Sequence, residues 1–443
     1  MASDWPTARI AEVAEKVGMG PFGSSIKVST FVPEGIPVIS GQHLHGTRLQ
    51  DTFFNFISPE HADKLKSANV YRGDVVFTHA GNIGQAAYIP ETSRYERYVL
   101  SQRQFFLRCD RTKLLPEFAA YFFSSADGRH LLLANASQVG VPSISRPVTY
   151  LRTIEIPLPP VDEQRAIAHI LGTLDDKIEL NRRMNDTLEA IARALFKSWF
   201  VDFGPVRAKS EGRDVGLPPH LADLFPDSFE DSELGGIPTG WKIGRFGDVI
   251  EQKRDQENPL SSPDALFQHF SIPAFDEGQS PRLEYGASIK SEKTRVPTGV
   301  VLLSKLNPEI ERVWIVDVRQ GERAVCSTEF LVLRALSPFT RTYAYCLARS
   351  PLFRQQIEGL VTGTSKSHQH AQVESILRIA VVVPPSPVLE AFDGFADSLL
   401  ARTLDCRQES HTLADLRDAL LPTLVSGELR LHDADRLVDT APT

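Results

Sequence analysis

"PLPPVDEQRAIAHILGTLDDKIELNRRMNDTLEAIARALFKSWFVDF", residues 157–203, decides the fold. Pro160 closes the preceding strand, and Asp162 and Glu163 place two carboxylates in the first helical turn, where the helix dipole favours them. A strict four-three spacing then picks out Ile167, Leu171, Leu174, Ile178, Asn181, Asn185, Leu188, Ala192, Leu195 and Trp199. A second seam follows "VVVPPSPVLEAF" near the other end of the chain, through Leu389, Phe392, Ala396, Leu399, Thr403, Cys406, Ser410, Leu413, Arg417, Leu420 and Leu424. Both seams are apolar at their ends and polar in the middle. Polar residues in a helical seam cost stability but fix its register. The pattern predicts an intramolecular coiled coil, with Asn181 and Asn185 opposite Thr403, Cys406 and Ser410, and it fits either orientation. Two amphipathic helices, each packed on its own domain, are the competing reading.

Working outward, the chain is written twice. "YRGDVVF" (71–77) lines up with "VPTGVVLL" (296–303), and "SQRQFFLR" (101–108) with "STEFLVLR" (327–334), both at an offset of 226. "LRTIEIPLPP" (151–160) is echoed by "LRIAVVVPP" (377–385), and Trp5 and Trp241 start the two copies. Ordered echoes at a near-constant offset mark a duplication. Each copy reads as an α+β domain: short β-rich runs such as "GIPVIS" and "QFFLRC", Gly/Pro punctuation, and a helical stretch "LPEFAAYFFSSADGRHLLL". The boundaries are 1–160 for the first domain, 161–203 for the first helix, 204–240 for a linker, 241–385 for the second domain, 386–430 for the second helix and 431–443 for a tail. At ~1.5 Å per residue, ~35 helical residues span ~50 Å. Two copies of one domain on a stiff spacer suit a ligand with two sites at a fixed separation, and DNA is such a ligand.

Charge is consistent with that only after subdivision. The net −8 hides +2 over residues 1–160 and +2 over 241–385; residues 211–240 and 386–443 carry −6 each. Mild basicity by itself is a weak sign of nucleic-acid binding. No run of 18 apolar residues or basic-then-apolar leader occurs, so neither a membrane span nor secretion is expected. Cys109, Cys326, Cys346 and Cys406 are scattered, which fits a reducing cytoplasm.

No catalytic motif emerges. "GLVTGTSKS" (359–367) lacks the Gly-Lys step of a P-loop, H-E-x-x-H is absent, and His368 and His370 in "SHQH" have no companion ligands. The amino-methyltransferase motif [DN]-P-P-[YF] is also missing. Gly18, Gly20 and Gly23 match G-x-G-x-x-G, but the following segment, broken by Pro33 and Pro37, is no helix, and position 43 is His rather than an acid. What remains is a free loop with Ser24, Ser25 and Lys27, groups suited to phosphate oxygens. No catalytic residue, cofactor site or metal site is therefore assigned.

Several stretches resemble the specificity subunits of type I restriction-modification enzymes. Residues 157–203 resemble their central conserved region. "GLPPHLADLFPDSFEDSELGGIPTGWKIGRFGDV" (216–249) resembles their junction, and "LRDALLPTLVSGELRL" (416–431) their C-terminal end. "GPFGSSIK", "GDVVFTHAGNIG" and "SQVGVPSI" resemble loops of their recognition domains. The resemblance implies two tandem target-recognition domains separated by two long helices that form an antiparallel coiled coil, with pseudo-two-fold symmetry. Each domain would read half of a bipartite site in double-stranded DNA, and the helices would set the gap. Two modification subunits carrying S-adenosylmethionine would dock alongside and methylate adenine. ATP- and Mg-dependent restriction subunits would complete a cytoplasmic defence complex against foreign DNA. The subunit itself would not be an enzyme. A catalytic methyltransferase or nuclease with an unrecognised site, and a scaffold that does not bind DNA, are the alternatives.

By position, the resemblance implies DNA contacts from Ser24, Ser25, Lys27, Gln42, His43, His79, Asn82, Gln138, Ser143, Ser145 and Arg146 in the first domain. The second domain departs from the pattern, with "EQKRDQENPLSS" in place of the glycine-rich opening and "LSKLNPEIER" in place of "FTHAGNIG". Its candidates are Lys253, Arg254, Lys305, Asn307, Lys366, His368 and His370. Phe196, Trp199 and Phe200 close the first helix, as a docking patch for a methyltransferase subunit or as core against a neighbouring domain.

Overall fold

The computed structural model describes residues 5–23, 25–137, 140–319, 321–362 and 369–429. The chain divides into two compact units. One comprises Met1–Lys177 with Leu413–Thr443, the other Ile178–Thr412. The long helices, Val161–Phe200 and Ser386–Ser426, thus contribute to both units instead of standing apart as a third body.

In the first unit a four-stranded antiparallel sheet runs in the order Ala14–Met19, Gln104–Cys109, Asp74–Thr78, Ala86–Tyr88. A second sheet orders Asn55–Ile57, Ile36–Ile39, Arg97–Leu100 and Asn69–Tyr71, with the middle two parallel. Side-chain alternation explains why "DVVFT" and "QFFLRC" read as unbroken apolar runs. Val75, Phe77, Phe105 and Leu107 face a core shared with the helices Pro116–Ser124 and Ala126–Leu133. Val76 and Phe106 face the opposite way, into a core with Ile39, Tyr98 and Leu100 of the second sheet. A strand buried on both faces loses the polar half of its period-two pattern.

The second unit repeats this plan. Ile250–Lys253, Phe330–Ala335, Val301–Ser304 and Val313–Ile315 form the matching antiparallel sheet in the matching order. Val301, Leu303, Leu331 and Leu333 face the helical core. Leu302 and Val332 face Phe270 and Trp314 on the other side. The companion sheet keeps one parallel pair, Leu266–Phe270 with Arg323–Cys326. Strands at the two ends of each repeat also pair: Thr7–Arg9 with Glu155–Pro157, and Lys242–Arg245 with Ala380–Val383.

The helices are antiparallel, as each unit shows separately. In the first, Ile167, Leu171 and Leu174 share a core with Leu420, Leu424 and Val425. In the second, Ala192, Phe196 and Trp199 share one with Leu389, Phe392, Ala396 and Leu400. The polar middle of the seam is specific: Asn181 Nδ2 donates to Glu409 at 2.8 Å, and Cys406 Sγ lies 3.5 Å from Met184 Sδ.

Each unit also ties its sheet module to both helices through one acid. Asp175 accepts from Thr47 (3.0 Å) and Tyr121 (2.7 Å) of the first module and from Arg417 (2.8 Å) of the second helix. Glu189 pairs with Arg349 of the second module and with Arg407 of the second helix. Thr340 and Thr342 add bonds of 2.6 and 2.7 Å to Asp393 and Asp397.

Two expectations change here. Residues 204–240, read as a linker, include the helix Gly204–Ser210 and the hairpin Phe229–Ser232 with Gly235–Pro238. Val206, Phe225 and Ile237 are buried in the core of the second unit, while the acidic residues stay at its surface. Phe196, Trp199 and Phe200 are core, not a docking patch. Phe196 lies 5.4 Å from Tyr343 and 5.7 Å from Phe392, Trp199 5.1 Å from Phe225, and Phe200 6.0 Å from Trp241. Rings buried in their own unit leave no face for a partner.

Candidate nucleic-acid interface

Two of the three glycines of residues 17–27 find their explanation in the sheet, and Gly23 turns the chain at φ 66°. A Cβ on Gly18 would sit 2.6 Å from the Phe106 ring, and one on Gly20 would overlap the Ser101 carbonyl oxygen. The strand Ala14–Met19 therefore pairs closely with Gln104–Cys109 only through glycine, and no nucleotide-binding turn precedes a helix here.

Close pairing brings several loops to one end of the first module. Gly20 N–H donates to Gln104 O at 2.8 Å, and the Gln102 side-chain amide reaches Gly23 O. His79 N–H donates to Arg103 O (2.9 Å), and His79 O accepts from Ile144 N–H (2.8 Å). Gly81 N–H donates to Pro142 O (2.9 Å). A Cβ on Gly41 would lie 3.3 Å from Gln85 Oε1, so the 40–43 turn joins the same edge. Ser25, Lys27, Gln42, His79, Asn82, Ser143, Ser145 and Arg146 are thus carried on converging loops.

Their availability differs. Lys27, Gln42, Asn82, Ser145 and Arg146 are exposed. Ser25 donates to Phe22 O at 3.0 Å, and Arg146 sits in a left-handed conformation (φ 46°). Among the described residues, Lys27, Arg103 and Arg146 have no carboxylate partner. His79 is half-buried, with Nε2 3.1 Å from Gln102 O, and burial holds its pKa below the usual histidine value. His43 departs from the expectation of a DNA contact. It is 1% exposed, stacked on Phe54 at 4.3 Å, with Nδ1 accepting from Ser40 N–H (3.0 Å) and Nε2 3.2 Å from Phe53 O. Both ring nitrogens are engaged, burial favours the neutral ring, and the residue serves the fold. Ser24 and Gln138 lie outside the described residues.

Sequence reasoning passed over Gln102 and Arg103. A strand read at "QFFLRC" leaves Ser101, Gln102 and Arg103 just ahead of it without a role; three polar residues before an apolar run are the signal of an exposed loop.

The second module rebuilds the loop set with other side chains. Lys305 N–H donates to Glu329 O (3.0 Å), Lys305 O accepts from Ala371 N–H (3.1 Å), and Asn307 N–H donates to Gln369 O (2.8 Å). These are the bonds made by His79 and Gly81. Gly81 (φ 87°) and Asn307 (φ 48°) both need positive φ, which Gly and Asn tolerate best. His370 Nδ1 lies 3.3 Å from Glu329, and Lys253 pairs with Glu251 at 2.7 Å. Arg254 is exposed and bonds Gln252 (2.8 Å). Lys366 and His368 lie outside the described residues. Among the described residues, no group of three or more His, Cys, Asp or Glu could hold a metal ion, and no helix is long and apolar enough to cross a membrane.

Comparison with known proteins shows what this chain is similar to. Residues 2–190 match the type I restriction modification DNA specificity domain. The type I restriction enzyme MjaIX specificity subunit of Methanocaldococcus jannaschii is 24% identical over 97% of this chain and 94% of its own length. Over nearly its whole length the chain is similar to type I restriction-modification specificity subunits. The HindI specificity subunit of Haemophilus influenzae is likewise 24% identical, over 81% of this chain and 87% of its own. A crystal structure of a type I restriction-modification S subunit from M. genitalium shares the fold, with a TM-score of 0.59 at 13% identity over 96% of each chain. A specificity subunit is a non-catalytic DNA-recognition component, so the lack of any catalytic motif in the sequence accords with the family.

Proposed function

We propose that each module of this specificity subunit reads one half of a bipartite DNA site through its converging loops. The observation that carries this is the repeated loop frame: the same backbone hydrogen bonds join His79 to Arg103 and Ile144 in one module and Lys305 to Glu329 and Ala371 in the other, with Ser143 and His370 paired beside them to Ala80 and Leu306. A scaffold kept constant while the groups at its edge change is what reading two different half-sites requires. In this reading Ser24, Ser25, Lys27, Gln42, His79, Asn82, Gln138, Ser143, Ser145 and Arg146 supply contacts in the first half-site. Lys253, Arg254, Lys305, Asn307, Lys366, His368 and His370 supply them in the second. The antiparallel helices set the unread gap and carry two modification subunits, which bring S-adenosylmethionine to adenine. Restriction subunits using ATP and Mg join them in the cytoplasm.

Mapping methylated adenines in cells that contain the chain and its modification partner tests this, with footprinting of the purified complex. The expected result is one two-part sequence, protected at both ends, with a constant gap. Protection without sequence preference, or a single continuous site, overturns it.

A further inference from the structure

The loops of the first module are not only polar. Among the described residues the four most exposed large apolar side chains are Val28 (85%), Phe53 (81%), Phe22 (78%) and Val141 (61%), and all four lie in the first module, Phe22 and Val141 on its converging loops. Phe22 stands out because its backbone is held while its ring is not. Phe22 O accepts from Ser25 Oγ (3.0 Å), Gly23 turns the chain at φ 66°, and Gly23 O accepts from Gln102. The ring meets no other ring among the described residues. It is thus presented on a braced turn of the loop that also carries Lys27 and that Gln102, the neighbour of Arg103, bonds, and little ordering is left to be lost on binding.

We infer that Phe22 is a wedge that enters the base stack of the first half-site. This rests on the DNA-reading face proposed above and adds to it how that face reads. Base edges and phosphates satisfy hydroxyls, amides and cations; an apolar ring is matched by the thymine methyl or, over far more of its area, by a base face. Apolar wedges partly unstack a base step, and pyrimidine–purine steps yield most readily. Phe22 therefore makes the first module sensitive to the deformability of a step, which polar loop residues by themselves do not read.

The test uses the full chain and duplexes that carry the mapped site, with 2-aminopurine replacing each adenine of the first half-site in turn. Binding should raise 2-aminopurine fluorescence several-fold next to one pyrimidine–purine step. Phe22→Ala should abolish that rise and weaken site binding by about 5- to 100-fold. Its thermal melting should be unchanged, because the ring is exposed. Phe22→Trp should keep the rise. Lys27→Ala should weaken binding yet keep the rise at saturation. No rise at any step, or a Phe22→Ala protein that keeps the rise and binds within twofold, overturns the inference. A full chain that fails to prefer the site over a scrambled duplex overturns the DNA-reading face itself, whatever Phe22 does.

Discussion

Replacing Lys27, Arg103 and Arg146 by alanine should flatten the salt dependence of DNA binding. These three cations lie on converging loops of the first module, and among the described residues none has a carboxylate partner to hold it away from a phosphate. Each phosphate neutralised releases counterions, so log K falls against log salt with a slope of about −0.9 per contact. A fourfold rise in salt spans about 0.6 of a decade, so one contact accounts for about 0.5 decade, roughly 3.5-fold, and three for about 40-fold. The assay is fluorescence anisotropy of the full chain on a labelled duplex, titrated at about 50 to 200 mM salt, the range over which such slopes are resolved. Each single alanine variant should lower the slope by about 0.9, and the triple variant by about 2.7. Arg165→Ala is the control. Arg165 already pairs with Asp162 on the helix, and its removal should leave the slope unchanged. A cation that instead grips a base edge would show as about 1–3 kcal/mol lost on the cognate duplex alone, with the slope intact. Unchanged slope and unchanged cognate affinity in the triple variant would refute the placement of DNA on this face.

Other outcomes follow from the interior. Glu189→Ala leaves Arg349 and Arg407 buried without their shared acid, and should destabilise the second unit by about 3–5 kcal/mol in denaturant unfolding; a loss below about 1 kcal/mol would show that the pairs are dispensable. Gly20→Ala would push a methyl group into the Ser101 carbonyl oxygen and should cost about 1–3 kcal/mol by strand displacement, with faster amide exchange at Gln104 as the local readout. Burial keeps His43 and His79 below the free histidine value of 6.5, so the unfolded chain binds more protons between the folded and unfolded pKa values. Their contribution to stability is therefore full above pH 6.5 and is lost as pH falls through the folded values. Melting temperature followed downward from neutral pH should show a decline that His43→Gln reduces, and an equal decline in that variant would count against the assignment.

The sequence by itself determined the duplication, the helix seams and the family resemblance, because each is a matter of local spacing. Apolar periodicity survives in a linear string, and so do repeated turns such as Gly73 with Gly299. It also placed Ser25, Lys27, Asn82 and Arg146 on loops, since Gly and Pro punctuation marks chain reversals. Only tertiary structure could decide which of those side chains remain available. His43 and Asn82 look alike as polar loop residues, but His43 stacks on Phe54, a neighbour fixed by sheet pairing. Phe196, Trp199 and Phe200 read as core or as docking patch until Tyr343 and Phe392 arrive from far along the chain. Arg103 drew no assignment from the sequence because the loop that its carbonyl joins, at His79, lies 24 residues away. The seam pattern fitted two orientations; Asn181 beside Glu409, and Ile167 sharing a core with Leu424, chose one. Burial and partnership are properties of chain segments brought together across long sequence separations, and no window of neighbouring residues contains them.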